Sequence, residues 1–353
     1  MLLKRTALLG FAEGDDRSAR PLNRIFELKI IDGIPALDFE PDPRHVQIGL
    51  AGLGLDGNSC KPVSSPCAAE EGNMDETPLD KAGHSKFRSV AMRFSFLAQD
   101  LPTLIFGVKE AARQMHAPTV GSWNRLKRVG RYLKGQPRCV QRFWLQVEPG
   151  FLVGKSDSDF AGCRLTRRST SCALILRGRH LLRCSSTTQK IEGLSSAESE
   201  FMALVKCASA TLGAKAMAKD LGVDLTIALE TDSSAAKAVA QRRGVGKIRH
   251  LHTPLLWLQR RIGAGEIKVF MVDGKLNEAD VGTKALTADQ LRAIVDRLDF
   301  VFLEGSSDME LKAALQQFSF LESAEAVSLE SRLLASRQFL LYKSMSKANG
   351  RGR

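Results

Sequence analysis

The sequence predicts an α/β fold for residues 150–287, a mixed β-sheet with helices packed on it, and three observations support this prediction. Apolar runs of strand length recur through the segment, beginning with FLVGKSDS and continuing with SCALILRGRHLLRCSS. An alanine-rich helical segment over 196–221 separates them from a later strand, LTIALETD. Helices alternate with strands from there to residue 287, an order that is typical of sheets covered by helices.

The composition is that of a globular protein and argues against several other classes. The chain has 353 residues, of which 44% are hydrophobic and 25% charged, and these proportions argue against extended disorder. No apolar run approaches the roughly 18 residues of a membrane span, and the first residues make a poor signal peptide. Seven cysteines without a CxxC pair argue against a disulfide scaffold or a zinc site. We therefore expect an intracellular protein, cytoplasmic or nuclear, that is not secreted and binds no membrane.

The positive charge is concentrated in one stretch of the chain. The formal net charge is +12. Residues 86–142 contain twelve basic and two acidic residues, whereas residues 1–85 contain nine basic and fourteen acidic ones. Such a concentration is expected of a surface that faces a polyanion, and nucleic acid is the partner we favour. A solvated basic face that serves solubility is the alternative.

The elements before the predicted sheet follow from local patterns. Alternating apolar residues within 20–55 predict short strands, followed by a helix over DPRHVQIGLAGLGL. Residues 56–86 are rich in glycine, serine, proline and acids, which predicts a linker or long surface loop. Residues 85–135 have a helical pattern, and a short apolar strand over 140–147 follows.

The elements of the predicted sheet continue in order to residue 287. The first strand ends in acids, and the next two form a hairpin that turns at 177–179. The strand LTIALETD runs into a helix at Ser233 or Ser234. Residues 248–265 are helical with a glycine stop, IKVFMVD is a strand, and a helix begins near Asn277. Residues 287–353 have an amphipathic helical pattern.

Two acidic residues end strands of the predicted sheet. Asp157 ends the first strand, and Asp232 ends the strand after the long helix. If these strands are neighbours, both carboxylates lie at adjacent carboxyl ends, the edge where α/β sheets bind ligands. Each could instead be a turn or helix-cap residue. Asp159 shares a strand face with Asp157, so the pattern does not choose between these two.

Two further acids lie at the start of the long helix. Ser195 and Glu198 fit a capping box, which gives Glu198 a structural role. Glu200 falls on the mostly apolar face, where a buried carboxylate needs a partner. A cation shared with Asp157 and Asp232 would provide one, and so would a nearby lysine or arginine.

Asp280 follows Asn277 by three residues, a spacing that also fits helix capping. Together with the other carboxylates it could nevertheless complete a cluster of oxygen ligands at one end of the sheet. Hard oxygen ligands favour Mg²⁺ or Mn²⁺ over zinc. Two such ions about 4 Å apart can activate a water and stabilise the leaving 3′ oxygen in phosphodiester hydrolysis.

Five motifs closely resemble, in this order, the ribonuclease H domain of copia-type retrotransposon Pol polyproteins: SDSDFAGCRLTRRSTSCALILRGRHLLRCSSTTQK, LSSAESEFMALVKCASATLG, LETDSSAAKAVAQRR, KIRHLHTPLLWLQ and NEADVGTKAL. The resemblance covers roughly residues 150–287 and implies a ribonuclease H-like fold, a five-stranded mixed sheet flanked by helices. It also implies cleavage of the RNA strand of RNA–DNA hybrids with two Mg²⁺ or Mn²⁺ ions as cofactor. By motif, the catalytic and metal-binding acids are Asp157, Glu200, Asp232 and Asp280.

The sequence further upstream resembles the end of the copia-type reverse transcriptase, its thumb-like and connecting region. This resemblance implies a truncated α+β region of two parts: a remnant with an acidic linker over 1–85 and a basic helical segment over 86–149. The ribonuclease H-like domain follows over 150–287, and a helical tail of unknown role over 288–353. The Tyr-x-Asp-Asp turn of the polymerase site is absent from the sequence, so we expect no DNA synthesis. The missing reverse transcriptase part is a candidate partner.

Several positions depart from the family pattern. Phe160 and Ser185 stand where the family commonly has tryptophan, and Cys172 stands where glycine is usual. The loss of a large aromatic side chain at Ser185 predicts a cavity unless neighbours refill it. The usual His-Ile-Asp stretch reads His250-Leu251-His252, which puts one acid contact in doubt. None of the four implied metal ligands is lost.

The leading hypothesis is a divalent-metal endoribonuclease that acts on RNA–DNA hybrids and senses 2′-hydroxyls in the minor groove. Contacts to the hybrid would come from polar and basic residues near the acids and from one face of the last upstream helix: Arg164, Arg167, Arg168, Gln189, Ser233, Arg125, Arg128, Arg131 and Lys134. For each of them a solvated loop, a cap or a solvated face is the structural alternative. The alternative function is a catalytically inactive, retroelement-derived module that still binds nucleic acid.

Overall fold

The computed structural model describes residues 9–57, 60–68, 75–136, 138–163, 166–246 and 253–303. Eight α-helices lie in these residues: α1 (Arg44–Leu53), α2 (Lys81–Leu97), α3 (Ile105–Arg113), α4 (Val120–Gly135), α5 (Ser196–Asp220), α6 (Ser234–Gln241), α7 (Trp257–Gly263) and α8 (Ala288–Arg297). Side-chain oxygens cap several of their N-termini by accepting a backbone N–H, which fixes where these helices begin.

The described residues form two five-stranded sheets. The first is antiparallel, with the spatial order β1 (Ser18–Ala19), β2 (Ile25–Ile31), β3 (Ile34–Glu40), β4 (Cys139–Trp144) and β10 (Phe300–Phe302). Asp32 and Gly33 join β2 to β3, and both have positive φ, as two-residue hairpin turns require. The tail expected to be helical over 288–353 begins with the helix α8 and differs from that expectation at β10, and its residues 304–353 lie outside the described residues. After α8 the described chain forms a strand because Phe300 and Phe302 pair with β4 and help close the core.

The second sheet is mixed and contains the expected α/β pattern, with its strands here in spatial order: β7 (His180–Thr188), β6 (Thr170–Arg177), β5 (Phe151–Ser158), β8 (Thr226–Thr231) and β9 (Ile267–Met271). The first three strands pair antiparallel, whereas β5, β8 and β9 are parallel. The sheet, its hairpin at Gly178 and its order of strands and helices confirm the ribonuclease H-like fold implied by the resemblance.

Helices cover both faces of the second sheet. On one face α5, α6 and α7 bury residues such as Phe201, Leu204 and Leu229. On the other face Leu174 and Leu176 of β6 belong to the same buried cluster as Phe87 and Phe94 of α2 and residues of α1, α3, α4 and α8. The basic helical segment and the second sheet therefore share a continuous core.

The segment expected to be a linker packs against the protein where it is described. Ser65 is buried, and its hydroxyl donates a hydrogen bond to the backbone oxygen of Leu286 at 2.8 Å. Cys67 lies so close to Gly107 of α3 that a Cβ at this glycine would be 2.7 Å from the sulfur. This part of the segment is thus a packed connection.

Among the described residues, α5 alone is long and apolar enough to cross a membrane by length and composition. Charged and polar residues interrupt this helix, so it contains no unbroken apolar run of that length. Its Phe201, Leu204 and Cys207 are fully buried against the sheet, however. This packing is that of a central core helix.

Candidate metal centre

The parallel pairing of β5 with β8 brings two acidic residues side by side. Ser156 is opposite Thr231 in this pair, so the residues that follow them, Asp157 and Asp232, lie at adjacent carboxyl ends. This is the arrangement expected if the two strands are neighbours. Asn277 holds the same edge, because its side-chain nitrogen donates to the backbone oxygen of Ser156 at 3.0 Å.

Glu200 joins these two acids from the start of α5. Ser195 caps the helix by accepting a hydrogen bond from the backbone N–H of Glu198 at 3.2 Å, which fixes the first turn. One carboxylate oxygen from each of Asp157, Glu200 and Asp232 lies within 4.8 Å of the others. Three carboxylates from three elements therefore converge at one end of the sheet.

The neighbouring acids Glu198 and Asp159 have structural roles instead. The Glu198 side chain accepts from the backbone N–H of Leu194 at 2.8 Å and secures the entry to α5. Asp159 lies beyond the end of β5, where its backbone N–H donates to the oxygen of Thr170 at 3.2 Å and its carboxylate accepts from the N–H of Thr170. Two pairs of acids, Asp157 with Asp159 and Glu198 with Glu200, were ambiguous in the sequence. In each pair one member, Asp159 or Glu198, bonds to the backbone and the other joins the converging group.

The converging carboxylates repel one another, and they are buried at Asp157 and partly buried at Glu200 and Asp232. Asp157 is only 4% exposed, and one of its carboxylate oxygens accepts a hydrogen bond from the hydroxyl of Thr283. Burial, together with the charges of Asp157 and Asp232, raises the pKa of Glu200 to about 9. Burial and Asp157 likewise raise the pKa of Asp232. Such a group of acids favours protons or a shared cation over free negative charge.

The donor set fits a hard divalent cation. All three converging groups are carboxylates, the ligands that Mg²⁺ and Mn²⁺ prefer. One oxygen of Glu200, Oε2, is buried and accepts no hydrogen bond from the described residues. A buried acceptor without a donor is costly, and a cation would satisfy it.

Asp280 lies next to this group but is paired with a lysine. It belongs to a 3₁₀ helix, Glu278–Gly282, that Asn277 caps by accepting from the N–H of Ala279 at 3.2 Å, so the expected cap is present. An Asp280 oxygen is 2.8 Å from Nζ of Lys284. Burial raises the pKa of Asp280 to about 6; the Lys284 ammonium opposes this shift, and the adjacent Asp157 adds to it.

Two of the residues expected to contact nucleic acid near the acids have structural partners. Gln189 is 8% exposed, and its amide nitrogen donates to Ser171 Oγ at 2.9 Å and to the backbone oxygen of Ser199 at 2.8 Å. Ser233 caps α6 by accepting from the N–H of Ala236 at 3.1 Å. Both side chains are thereby engaged inside the protein.

The arginines after β5 are placed differently. Arg167 and Arg168 are exposed on the turn between β5 and β6, free to face a ligand. Arg164 lies outside the described residues, as do His250, Leu251 and His252. The turn itself is held by the N–H of Arg167, which donates to the oxygen of Cys163 at 2.7 Å.

The basic face of α4 is partly covered by the preceding chain. Arg131 donates to the backbone oxygen of Lys61 at 2.7 Å, and Lys134 donates to that of Leu55 at 2.9 Å. Arg125 and Arg128 on the same face are half-buried. These cations tie the segment before α2 to α4, so only part of this face remains for a ligand.

Sequence reasoning missed several basic residues and one hydroxyl near the site. On α3, Lys109 donates to Thr170 Oγ1 at 2.8 Å, and Arg113 lies 2.7 Å from the Cys163 sulfur. Thr283 donates a hydrogen bond to Asp157, and Lys284 forms an ion pair with Asp280. The spacing of four residues between Asp280 and Lys284 was a usable signal in the motif NEADVGTKAL, whereas nothing local marks α3 as a neighbour of the β5–β6 turn.

The residues that depart from the family pattern are accommodated in different ways. Cys172 is fully buried, and Gly282 packs against it so closely that an added Cβ would lie 2.5 Å from the sulfur. Ser185 is half-buried and donates to the backbone oxygen of Ala173 at 3.4 Å. Phe160 is half-exposed at the end of β5. None of these positions contributes a carboxylate to the metal centre.

Comparison with known proteins places the chain beside transposon polyproteins. No family model matches it. It is 26% identical over 232 residues to the retrovirus-related Pol polyprotein from transposon RE2 of Arabidopsis thaliana. This match covers 65% of this chain and 16% of that protein. It is 24% identical over 245 residues to that from transposon TNT 1-94 of Nicotiana tabacum, with 65% of this chain and 18% of that protein covered. The chain thus spans less than a fifth of the length of these relatives.

One solved structure similar to this chain is that of LC11-RNase H1 in complex with an RNA/DNA hybrid. The two chains are 19% identical, and the match covers 36% of this chain and 88% of the other with a TM-score of 0.26. The fold assignment rests on the strand order and strand directions of the second sheet.

Proposed function

This chain is a relative of copia-type retrotransposon Pol polyproteins, and from that premise we propose that it is a divalent-metal ribonuclease that cuts the RNA strand of RNA–DNA hybrids. The observation that carries the proposal is the convergence of Asp157, Glu200 and Asp232 within 4.8 Å, with one Glu200 oxygen lacking a hydrogen-bond donor among the described residues. Ion pairs inside the described protein do not neutralise these three acids.

Asp157, Glu200 and Asp232, with Asp280 beside them, would hold Mg²⁺ or Mn²⁺, two ions in all. Divalent cations bound there would activate a water and stabilise the leaving oxygen of the cut phosphodiester. The chain itself orients the ligands: Thr283 fixes one oxygen of Asp157 by a hydrogen bond. Their partial burial strengthens the attraction of these carboxylates for a cation, because less water screens the charges.

The hybrid would lie across the exposed turn between β5 and β6. Arg167 and Arg168 are exposed on this turn, and Lys109 and Arg113 reach it from α3. The exposed Arg167 and Arg168 suit backbone phosphates, whereas Lys109 and Arg113 are paired with Glu110 and support the turn. The remainder of a Pol polyprotein is the proposed partner, and an intracellular compartment the proposed location.

The second candidate function is a nucleic-acid-binding module without catalysis. It is favoured by the ion pair between Asp280 and Lys284, which occupies one of the four acids. The departures at Cys172 and Ser185 also fit a copy that has drifted from the family pattern. Retention of all four acids argues for the enzyme.

The test is cleavage of an end-labelled RNA–DNA hybrid by the full chain in Mg²⁺ and in Mn²⁺. We expect cutting of the RNA strand only, with no cutting of single-stranded RNA or duplex DNA. Asp157→Asn and Glu200→Gln should each abolish cleavage while hybrid binding survives, because they remove metal ligands and leave the arginines in place. Glu192→Gln, an exposed glutamate near the same helix, is the matched control and should cleave normally.

Two outcomes would count against the enzyme. A folded chain that binds the hybrid but cuts nothing in either metal would favour the binding module. Cleavage that persists in Asp157→Asn and Glu200→Gln would move the activity away from this metal centre.

A further inference from the structure

Lys284 is a cation that the protein itself supplies to the metal centre. Its ammonium lies 2.8 Å from an Asp280 oxygen, and its side chain is about half exposed. The described protein thus places one of its own ammonium groups in contact with a proposed metal ligand.

The four acids are consequently divided into two unequal groups. Asp157, Glu200 and Asp232 have oxygens within 4.8 Å of one another, and Asp280 is outside that group. The carboxylate of Asp280 forms an ion pair with Lys284, which lies just beyond the end of the same 3₁₀ helix. A cation that needs Asp280 must compete with an ammonium already in contact with it, whereas a cation between the other three meets no ammonium in contact with its ligands.

We propose that Lys284 acts as a tethered counter-ion that makes the two metal positions unequal: the first divalent ion binds to Asp157, Glu200 and Asp232, and the second binds to Asp280 only after Lys284 has moved away. This inference deepens the proposed function and rests on it. Lys284 is a positioning residue in this scheme. Since the side chain is half exposed, it can swing into solvent without disturbing the core.

Thr283 holds Asp157 by a hydrogen bond that does not involve Lys284. Its hydroxyl donates to one oxygen of Asp157, and the residue is 1% exposed, so this bond is fixed by packing. Asp157 therefore keeps its orientation when the neighbouring Lys284 leaves Asp280. Movement of Lys284 changes the charge at the second position and leaves the first position intact.

The test counts bound Mn²⁺ by electron paramagnetic resonance of the free ion, with the full chain and without substrate. Wild-type protein should bind two ions with clearly separated dissociation constants. Lys284→Met keeps most of the length of the side chain and removes its charge, and should tighten the second ion about two- to fivefold, the effect of a partly exposed ion pair. The first dissociation constant should change much less.

Two further variants separate charge from structure. Lys284→Arg retains the charge and should keep the second ion weak. Lys268→Met removes an exposed lysine of β9 from the same sheet and should leave both constants unchanged, which controls for net charge. Circular dichroism of each variant establishes that it is folded.

The outcomes distinguish this inference from the proposed function. If wild-type protein binds two ions and Lys284→Met leaves the second constant unchanged or weakens it, the tethered counter-ion is wrong and the metal centre stands. If a folded wild-type chain binds no Mn²⁺ at millimolar concentration, the proposed function is overturned and this inference with it.

Discussion

The carboxyl group of Glu200 illustrates how the surroundings of a residue determine its pKa. One of its oxygens is buried without a donor among the described residues, and Asp157 and Asp232 lie beside it. Its pKa of about 9 means that the metal-free protein holds a proton there at neutral pH. In the unfolded chain the same group has its ordinary value and is ionised.

The stability of the metal-free protein should therefore fall as pH rises from about 5 to 9. Over this range the folded state binds a proton at Glu200 that the unfolded state has lost, so each rise in pH favours unfolding. We expect a loss on the order of 2 kcal/mol in the free energy of unfolding between pH 5.5 and 8.5. Urea denaturation in EDTA measures it, and Glu200→Gln should flatten the dependence.

The matched control for this prediction is Glu192→Gln, which removes an exposed carboxylate near the start of the same helix. It should show the wild-type dependence on pH. An equal flattening in both variants would mean that the raised pKa of Glu200 is not the cause.

Divalent ions should reverse this loss, because a bound cation replaces the proton on Glu200. A ligand that binds only the folded state at a hundred times its dissociation constant adds about 2.7 kcal/mol to the free energy of unfolding. Thermal unfolding at pH 8 with and without Mg²⁺ measures the gain. Asp232→Asn should lose most of it, and an undiminished gain in this variant would place the ion elsewhere.

Sequence reasoning could find the acids but not choose among them. Asp157 and Asp159 share a strand face, and only the end of β5 at Ser158 separates their roles: Asp159 turns back to the backbone of Thr170. Glu198 was assigned correctly from its cap, a local interaction. Thr283, the partner of Asp157, lies 126 residues further along the chain, and no local pattern reports such a contact. Lys284, the partner of Asp280, is only four residues away from it and was a local signal.

At the scale of elements, the 3₁₀ helix Glu278–Gly282 determines how closely the metal centre packs on β6. An added Cβ at Gly282 would lie 2.5 Å from the Cys172 sulfur and 2.9 Å from Ile105 of α3. The glycine thus makes room for Cys172. The two positions compensate each other in volume.

Gly282→Ala should consequently destabilise the protein by about 1–3 kcal/mol, the usual cost of overpacking a core. Cys172→Gly in the same chain should recover part of the loss, because it removes the nearest atoms. Urea denaturation of the two single variants and the double variant measures the coupling. Gly263→Ala, with no atom within 4 Å of the added Cβ, is the control and should be nearly neutral. Additive losses in the double variant would contradict the compensation.

The elements themselves were predicted where local pattern determines them. The hairpin at 177–179, the long helix α5 and the strands β5, β8 and β9 follow the sequence expectation. The strand β10 was not predicted. Its three residues, Phe300–Phe302, follow an amphipathic helix and are too few to show a strand pattern. Pairing with β4, a tertiary contact, decides their conformation.

For the whole molecule, the continuous core is the feature that local patterns do not predict. Leu174 of β6 and Phe94 of α2 lie in one buried cluster. Division at residue 150 was expected from a change in sequence character, yet apolar side chains from both sides of this boundary bury one another. Removal of residues before 150 would expose the face of β6 that they cover.

The described chain should therefore unfold in a single cooperative transition. Trp123 packs against the core that joins the two sheets, whereas Trp257 packs against the far face of the second sheet. Variants that retain only one of these tryptophans, with phenylalanine at the other tryptophan positions, report the two regions by fluorescence. Their urea midpoints should coincide with each other and with circular dichroism. Separate midpoints would mean two independent units.

The pairing of β10 with β4 has a consequence for synthesis on the ribosome. Val301 is the partner of Val140, so about 160 further residues must be made before β4 gains its second neighbour. At typical translation rates this takes on the order of ten seconds. During that interval the nascent chain presents β4 as an open edge, a template for pairing with other chains. Ribosome-bound intermediates are thus prone to aggregate at β4, whereas in the folded protein both edges of this strand are paired.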